Sequence, residues 1–287
     1  MSESSGRSIS TLLKINPYWL LVLPLLIVIT YLYAYPILKV LWISLSDPVM
    51  GFQNYKNLYS STSIQHMLMT TLKICLLTTI ISMLAGYIVA YAMTQVSARH
   101  RLWMLLFILI PFWVSVLARA FSWLMLLHDG GIINTFLLDM KVIEEPIHLV
   151  RNKLGVTIGM VHYMIPYAVL PLFTNMQGIE QKLIMAARGL GAGRIKSFWH
   201  IFFPLSVPGI IGSGLMVFIL TLGFFVTPSI LGGGKTVMIA EYVSVQILQV
   251  VRWGIGSMLA VVLLVVIALL LVVMSRFLNI REIFGAH

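Results

Sequence analysis

Six long runs of mainly apolar residues leave this chain little choice of fold. They cover roughly 18–45, 68–96, 102–127, 154–176, 207–231 and 255–278. A bilayer core takes about 20 apolar residues per helix, and each run meets that length. The expected fold is all-α: six transmembrane helices in one domain over 18–278, a polar tail at 1–17 and a second tail at 279–287. The fourth run contains Pro166 and Pro171. Membrane helices tolerate proline where neighbours satisfy the freed carbonyls. The first run is long and has no small-residue cleavage site behind a short core, so it reads as a retained span rather than a removed leader.

Composition agrees. Of 287 residues, 60% are hydrophobic and 10% charged, against about a quarter charged in soluble domains. The formal net charge of +10 does not point to nucleic acid, because the basic residues stand singly in short loops. Orientation in the membrane explains them. With both termini inside, the cytoplasmic pieces hold ten: Arg7, Lys14, Arg99, Arg101, Lys182, Arg188, Arg194, Lys196, Arg276 and Arg281. The outer loops hold six: Lys56, Lys141, Arg151, Lys153, Lys235 and Arg252. The bias predicts cytoplasmic N- and C-termini and puts the loop 177–205 inside. Cys75 is the one cysteine, which excludes a disulfide within the chain. A short helix at the outer interface is expected within 236–251, after Gly232-Gly233-Gly234.

The loop 177–205 is basic and rich in small residues. Gly189, Gly191 and Gly193 lie among Ala186, Ala187 and Ala192, with Arg188, Arg194 and Lys196 beside them. Small side chains let another protein approach a helix backbone closely, so the loop reads as a docking surface. Pro204 and Pro208 are expected to stop the loop helix and set the start of the fifth span. The spacing resembles the signature loop of ABC-importer permeases: Glu-Ala-Ala, three residues, Gly, nine residues, Ile-x-Leu-Pro. Ala186, Ala187, Gly191, Ile201 and Pro204 match it; Met185 stands in place of Glu and Phe203 in place of Leu.

The resemblance extends along nearly the whole chain. Pro111-Phe112-Trp113, Ser115, Arg119 and Trp123, then Gly131-Ile132-Ile133-Asn134, are similar to the third-span region of spermidine/putrescine-type permeases. Tyr163-Met164-Ile165-Pro166 and Leu170-Pro171 resemble their fourth span; Leu222-Gly223, Phe225-Val226-Thr227-Pro228 and Leu231-Gly232-Gly233 resemble the end of their fifth. The resemblance implies a type I permease subunit of a binding-protein-dependent ABC importer in the bacterial inner membrane. It also implies the partners: a second homologous permease, two ATPase subunits, an extracytoplasmic substrate-binding protein and membrane lipid. ATP and magnesium would sit on the ATPases, with no cofactor on this chain. Met185, Ala186, Ala187, Gly191, Ala192, Ile201 and Pro204 would couple the motor to the spans.

For the solute path, the candidates are Trp113, Arg119, Trp123, Tyr163, Phe224, Phe225 and Glu241. Aromatic faces suit the ammonium groups of a polyamine. Arg119 lies eight residues from the end of the third run, about 12 Å in a helix. At that depth an arginine is costly unless paired, hydrated or snorkelling. It either lines the path, with Asp129 or Glu241 as a partner, or reaches out to the interface. No Asp or Glu lies at the centre of a run, and Phe224 stands where some polyamine-type relatives carry an acid. A zwitterion such as an opine, amino acid derivative or aminophosphonate is therefore the alternative solute.

Other chemistry is not visible. The Gly-rich stretch before Lys235 and Thr236 lacks the phosphate-loop spacing. His128, His148 and His162 have no ligand-like spacing, so no metal site is expected, and His162 reads as a helix–helix hydrogen bonder. No catalytic arrangement is present, so the chain itself is not read as an enzyme. An ion-coupled secondary transporter is the remote alternative; it would carry carboxylates near mid-bilayer and often an inverted repeat, and neither is seen.

Overall fold

The computed structural model describes residues 18–277, with side chains from 22 to 275. The tails expected at 1–17 and 279–287 lie outside the described residues. Among the described residues there is no strand. The chain runs through α1 (Tyr18–Ser46), α2 (Gln53–Ser60), α3 (Thr62–Gln95), α4 (Ala98–Trp113) and α5 (Val116–Leu127). It continues through α6 (Ile132–Asp139), α7 (Lys153–Gln177), α8 (Gln181–Gly189) and α9 (Arg194–Ser197). A π-helical turn (Phe198–Phe202) then leads into α10 (Phe203–Leu222), followed by α11 (Val226–Gly232), α12 (Ile239–Leu248) and α13 (Trp253–Phe277).

Six stretches are long and apolar enough to cross a membrane. By apolarity and length alone, the third would count from Val116 into α6. The packing places α4 in that crossing instead. Arg101 lies over Phe173 and Arg119 over Tyr163, while Phe112 packs on Tyr167 and Trp123 on His162. As the chain advances from 101 to 123, its partners on α7 recede from 173 to 162, as two antiparallel segments require. The third span is thus α4 and α5 together, broken at Val114–Ser115, where the expected span was continuous.

Two further expectations are corrected. Pro204 and Pro208 do not stop the loop helix, since helix continues from Arg194 to Leu222. The π turn absorbs the proline: the Phe203 N–H reaches back to the Phe198 carbonyl, and the wider turn leaves room for a residue that has no N–H to give. The fifth span ends at Leu222 and not near 231. The helix breaks at Gly223–Phe225, and α11 forms as a separate element with Pro228 in its first turn, where a missing N–H is tolerated. Pro166 and Pro171 lie inside an unbroken α7. The short helix expected within 236–251 is α12.

The core is a seam of small and flexible residues between α3 and α7, with α10 laid across it. A Cβ on Gly86 would stand 2.8 Å from the Ala168 Cβ, so these two backbones approach as closely as small residues allow. Ile74, Met160, Met164 and Val217 are fully buried around the middle of this seam. Polar ties fasten its α12 end. The Ile239 N–H donates to Thr71 Oγ1 at 2.9 Å, and the Gly254 N–H donates to Asp47 Oδ2 at 2.7 Å. An acid at that point complements the N-terminus of α13. By contrast, α1 is exposed along most of its length and packs on α13.

Candidate functional site

The loop segment folds into a short helix with a glycine stop. At the end of α8, the Ala192 N–H donates to the Ala187 carbonyl at 3.0 Å and the Gly191 N–H to the Arg188 carbonyl at 3.1 Å. That pair of bonds is a Schellman closure, with Gly191 in the left-handed region at φ +90°. Gly191 therefore has a local structural reason to be glycine, apart from any docking role. Gly189 and Gly193 face open space. Ala187 and Ala192 are half-buried against the fold, whereas Met185, Ala186 and Pro204 are exposed and Ile201 is intermediate. Leu190 is 90% and Ile195 76% exposed. The segment thus presents an apolar tip ringed by Arg188, Arg194 and Lys196, the kind of surface that marks an interaction site.

The second group gathers where the third span breaks. The Arg119 guanidinium lies 4.6 Å from the centre of the Tyr163 ring, and its Nη2 donates to the Val114 carbonyl at 3.2 Å. That carbonyl is one of those freed by the break before α5. Arg119 Nε is buried without a hydrogen-bond partner. Tyr163 stacks on Tyr167 at 5.7 Å and meets Phe224 at 4.4 Å. The Trp123 indole N–H donates to His162 Nδ1 at 3.2 Å, joining α5 to α7 as expected of that histidine. Arg119, Trp123, Tyr163 and Phe224 are thus brought together, with Tyr167 and Phe112 completing the aromatic wall. The spacing of Tyr163 and Tyr167, one helical turn apart, was the signal for Tyr167; nothing local marked Val114.

Other candidates lie apart. Trp113 is 91% exposed at the end of α4, and Phe225 is exposed beyond the end of α10. Neither proposed partner of Arg119 meets it. Asp129 Oδ2 instead lies 2.9 Å from His148 Nδ1, within hydrogen-bond distance. Glu241 sits in the first turn of α12, only 6% exposed. Burial pushes its pKa up to about 7, outweighing the nearby Met238 backbone N–H, which favours the charged form. Its Oε2 has no partner.

Comparison with known proteins follows the same lines. Residues 80–281 match the family model described as binding-protein-dependent transport system inner membrane component. The chain is 32% identical over 224 residues to the spermidine/putrescine transport system permease protein PotB of Haemophilus influenzae, covering 78% of each. It is 31% identical over 234 residues to PotB of Escherichia coli, covering 80% of this chain and 85% of that one. Its fold is similar to a bacterial alginate ABC transporter crystallised with an alginate pentasaccharide-bound periplasmic protein. There the TM-score is 0.72 at 16% identity, over 93% of this chain and 95% of that chain. The fold is that of a type I ABC-importer permease, carried on six apolar crossings of the inner membrane. By the family match across most of its length, this chain belongs to the inner membrane components of binding-protein-dependent transport systems, and is a transport permease, not an enzyme.

Proposed function

We propose that this permease imports a polyamine of the spermidine/putrescine kind, working with a second homologous permease. Two ATPase subunits hold ATP and magnesium at the cytoplasmic face, and a binding protein delivers solute from outside. The observation that carries the solute is the similarity to two PotB proteins over most of both chains. The aromatic wall of Tyr163, Tyr167 and Phe224 supports it, because ring faces attract desolvated ammonium groups.

In this reading the termini and the loop 177–205 are cytoplasmic, on the basic-residue bias. The apolar tip of α8, with Met185, Ala186, Ala187, Gly191 and Ala192, seats on an ATPase. Ile201 and Pro204, in the helix that continues into α10, carry its displacement into the membrane. Met185 supplies an apolar contact where the signature has a charged one. Arg119, Trp123, Tyr163 and Phe224 line the path, and Trp113, Phe225 and Glu241 border it.

A second solute class has one observation in its favour. Arg119 presents an unsatisfied Nε and has no carboxylate beside it, which suits the acidic group of a zwitterionic amino compound. The deciding experiment is ATPase activity of the assembled complex in nanodiscs, with binding protein loaded with spermidine, putrescine or a zwitterion. Stimulation by the polyamine-loaded protein is expected. Stimulation only by the zwitterion keeps the importer and overturns the solute; failure to assemble with an ATPase sinks the coupling role.

A further inference from the structure

Beneath α8, where α3 and α7 end, the structure holds two adjoining cavities of about 240 and 330 Å³. They share Gln95, Ile184, Arg188 and Phe202. Arg101 lines the first, and Arg194 and Ser197 line the second. No Asp or Glu lines either one. Three arginines thus line this pair of adjoining cavities, Arg188 facing both, without an acid among the lining residues to neutralise them. Arg101 is held in place by its Nε bond to the Met93 carbonyl at 3.1 Å and by its packing over Phe173, which leaves its terminal nitrogens for another acceptor. Ser197 is 2% exposed, and its buried Oγ has no hydrogen-bond partner. It is one of five buried hydroxyls without a partner among the described residues, and the one of them that lines this cleft, where a ligand oxygen could meet it.

We propose that this cleft binds a phosphate-bearing anion, namely the headgroup of an anionic phospholipid in the adjacent leaflet. Guanidinium groups form forked, charge-assisted bonds to phosphate oxygens, and basic pockets between membrane helices on the cytoplasmic side suit such headgroups. A lipid is favoured over soluble phosphate by what flanks the cleft. Trp103, two residues after Arg101, and Trp199, next to the lining Phe198, are 54% and 56% exposed, at the amphipathic depth where tryptophan collects. Leu102, Leu106 and Leu205 are exposed beside them and offer apolar surface to acyl chains. The bound headgroup would bridge α4, α8 and α9. It would brace the coupling segment against the ends of the spans.

The inference rests on the proposed cytoplasmic placement of this loop, and its test does not depend on transport. The purified, delipidated transporter complex is titrated with phosphatidylglycerol or phosphatidylcholine, and bound lipid is counted by native mass spectrometry. Wild type should prefer phosphatidylglycerol by about tenfold or more, given the worth of paired basic residues at a membrane surface. Arg101→Gln with Arg188→Gln should bring that preference close to unity, while Lys at both positions should keep most of it. Ser197→Ala, a small change, should lower it severalfold and carries the test if the double variant does not assemble. Inorganic phosphate should fail to displace the lipid. Phosphate binding without any lipid preference would overturn the lipid as the source. Equal retention of both lipids in wild type, or protection of these arginines only by the ATPase subunit, would overturn the site. Solute-stimulated ATPase, read on the same samples, separates failure of the polyamine reading from failure of this one.

Discussion

In the proposed reading, Arg119 occupies the place that a substrate ammonium would take. It has an aromatic face and a freed carbonyl but no carboxylate, and both of those partners suit any organic cation. If the solute is a polyamine, the arginine competes with it for Tyr163. Arg119→Gln should then lower the apparent KM for polyamine import by about twofold to thirtyfold, from a cation–π contact of about 0.5–2 kcal/mol. Uptake of labelled spermidine into proteoliposomes measures this; a rise in KM would mean that Arg119 holds an acidic group of the solute. Tyr163→Leu should weaken uptake in either background. Glu241 makes a pH prediction. Its carboxyl is held near 7, against 4.5 for an ordinary glutamate, by burial. Between those values the folded chain keeps a proton that the unfolded chain has lost, so stability falls as pH rises through that window and levels off above it. The effect is at most about 3 kcal/mol. Thermal unfolding of the detergent-purified chain should shift downward from pH 5 to pH 8, and Glu241→Gln should flatten the profile. A flat wild-type curve would show that the carboxylate has found a cationic partner.

The seam between α3 and α7 is where a single methylene matters. Gly86→Val should destabilise the bundle by about 1–3 kcal/mol, because its first carbon already collides with Ala168. Ala168→Gly should recover part of that loss, and melting of the four proteins in detergent measures the coupling. In the α8 turn the two small positions differ. Any side chain at Gly191 fights a positive φ, so a defect there reports strain as much as docking. Ala187→Trp is the cleaner probe, expected to abolish transport while ATPase activity and membrane insertion persist; normal transport would remove the loop from the coupling path. These elements also show how far the sequence could be read. Apolar length alone located the crossings to within a few residues at most ends. Proline did not say which helices bend: α7 runs through Pro166 and Pro171, α10 accepts Pro204 behind a π turn, and the third span parts after Pro111. The difference lies in what neighbouring helices and wider turns do for the freed carbonyl, and that is tertiary. Likewise, Arg119 was legible as costly, but its acceptor is a main-chain carbonyl exposed by a break that no residue type announces.

As a whole, the chain sorts its chemistry to two ends, and the orientation of those ends decides every functional assignment. One end carries α8, the basic cleft and the glycine-capped tip. The other carries α6, α11, α12 and the acids Asp129, Asp139, Glu144 and Glu145. Among the described residues the interior of the crossings holds no carboxylate, so in the proposed reading a polycation draws its counter-charge from the acids at the outer end or from the second permease. That asymmetry has meaning only if the acidic end faces the binding protein. Ten basic residues against six favour it, a margin small enough to warrant direct measurement. Cys75 is buried and is the sole cysteine, so Cys75→Ala gives a silent background. Glu145→Cys and Gly189→Cys, both at exposed positions, are then introduced one at a time. In intact cells a membrane-impermeant maleimide should label Glu145→Cys and spare Gly189→Cys, and permeabilisation should expose the second. The reverse pattern would put the α8 tip outside, beyond the reach of any ATPase, and would withdraw the coupling loop and the inner-leaflet lipid site together while leaving the fold and the family untouched.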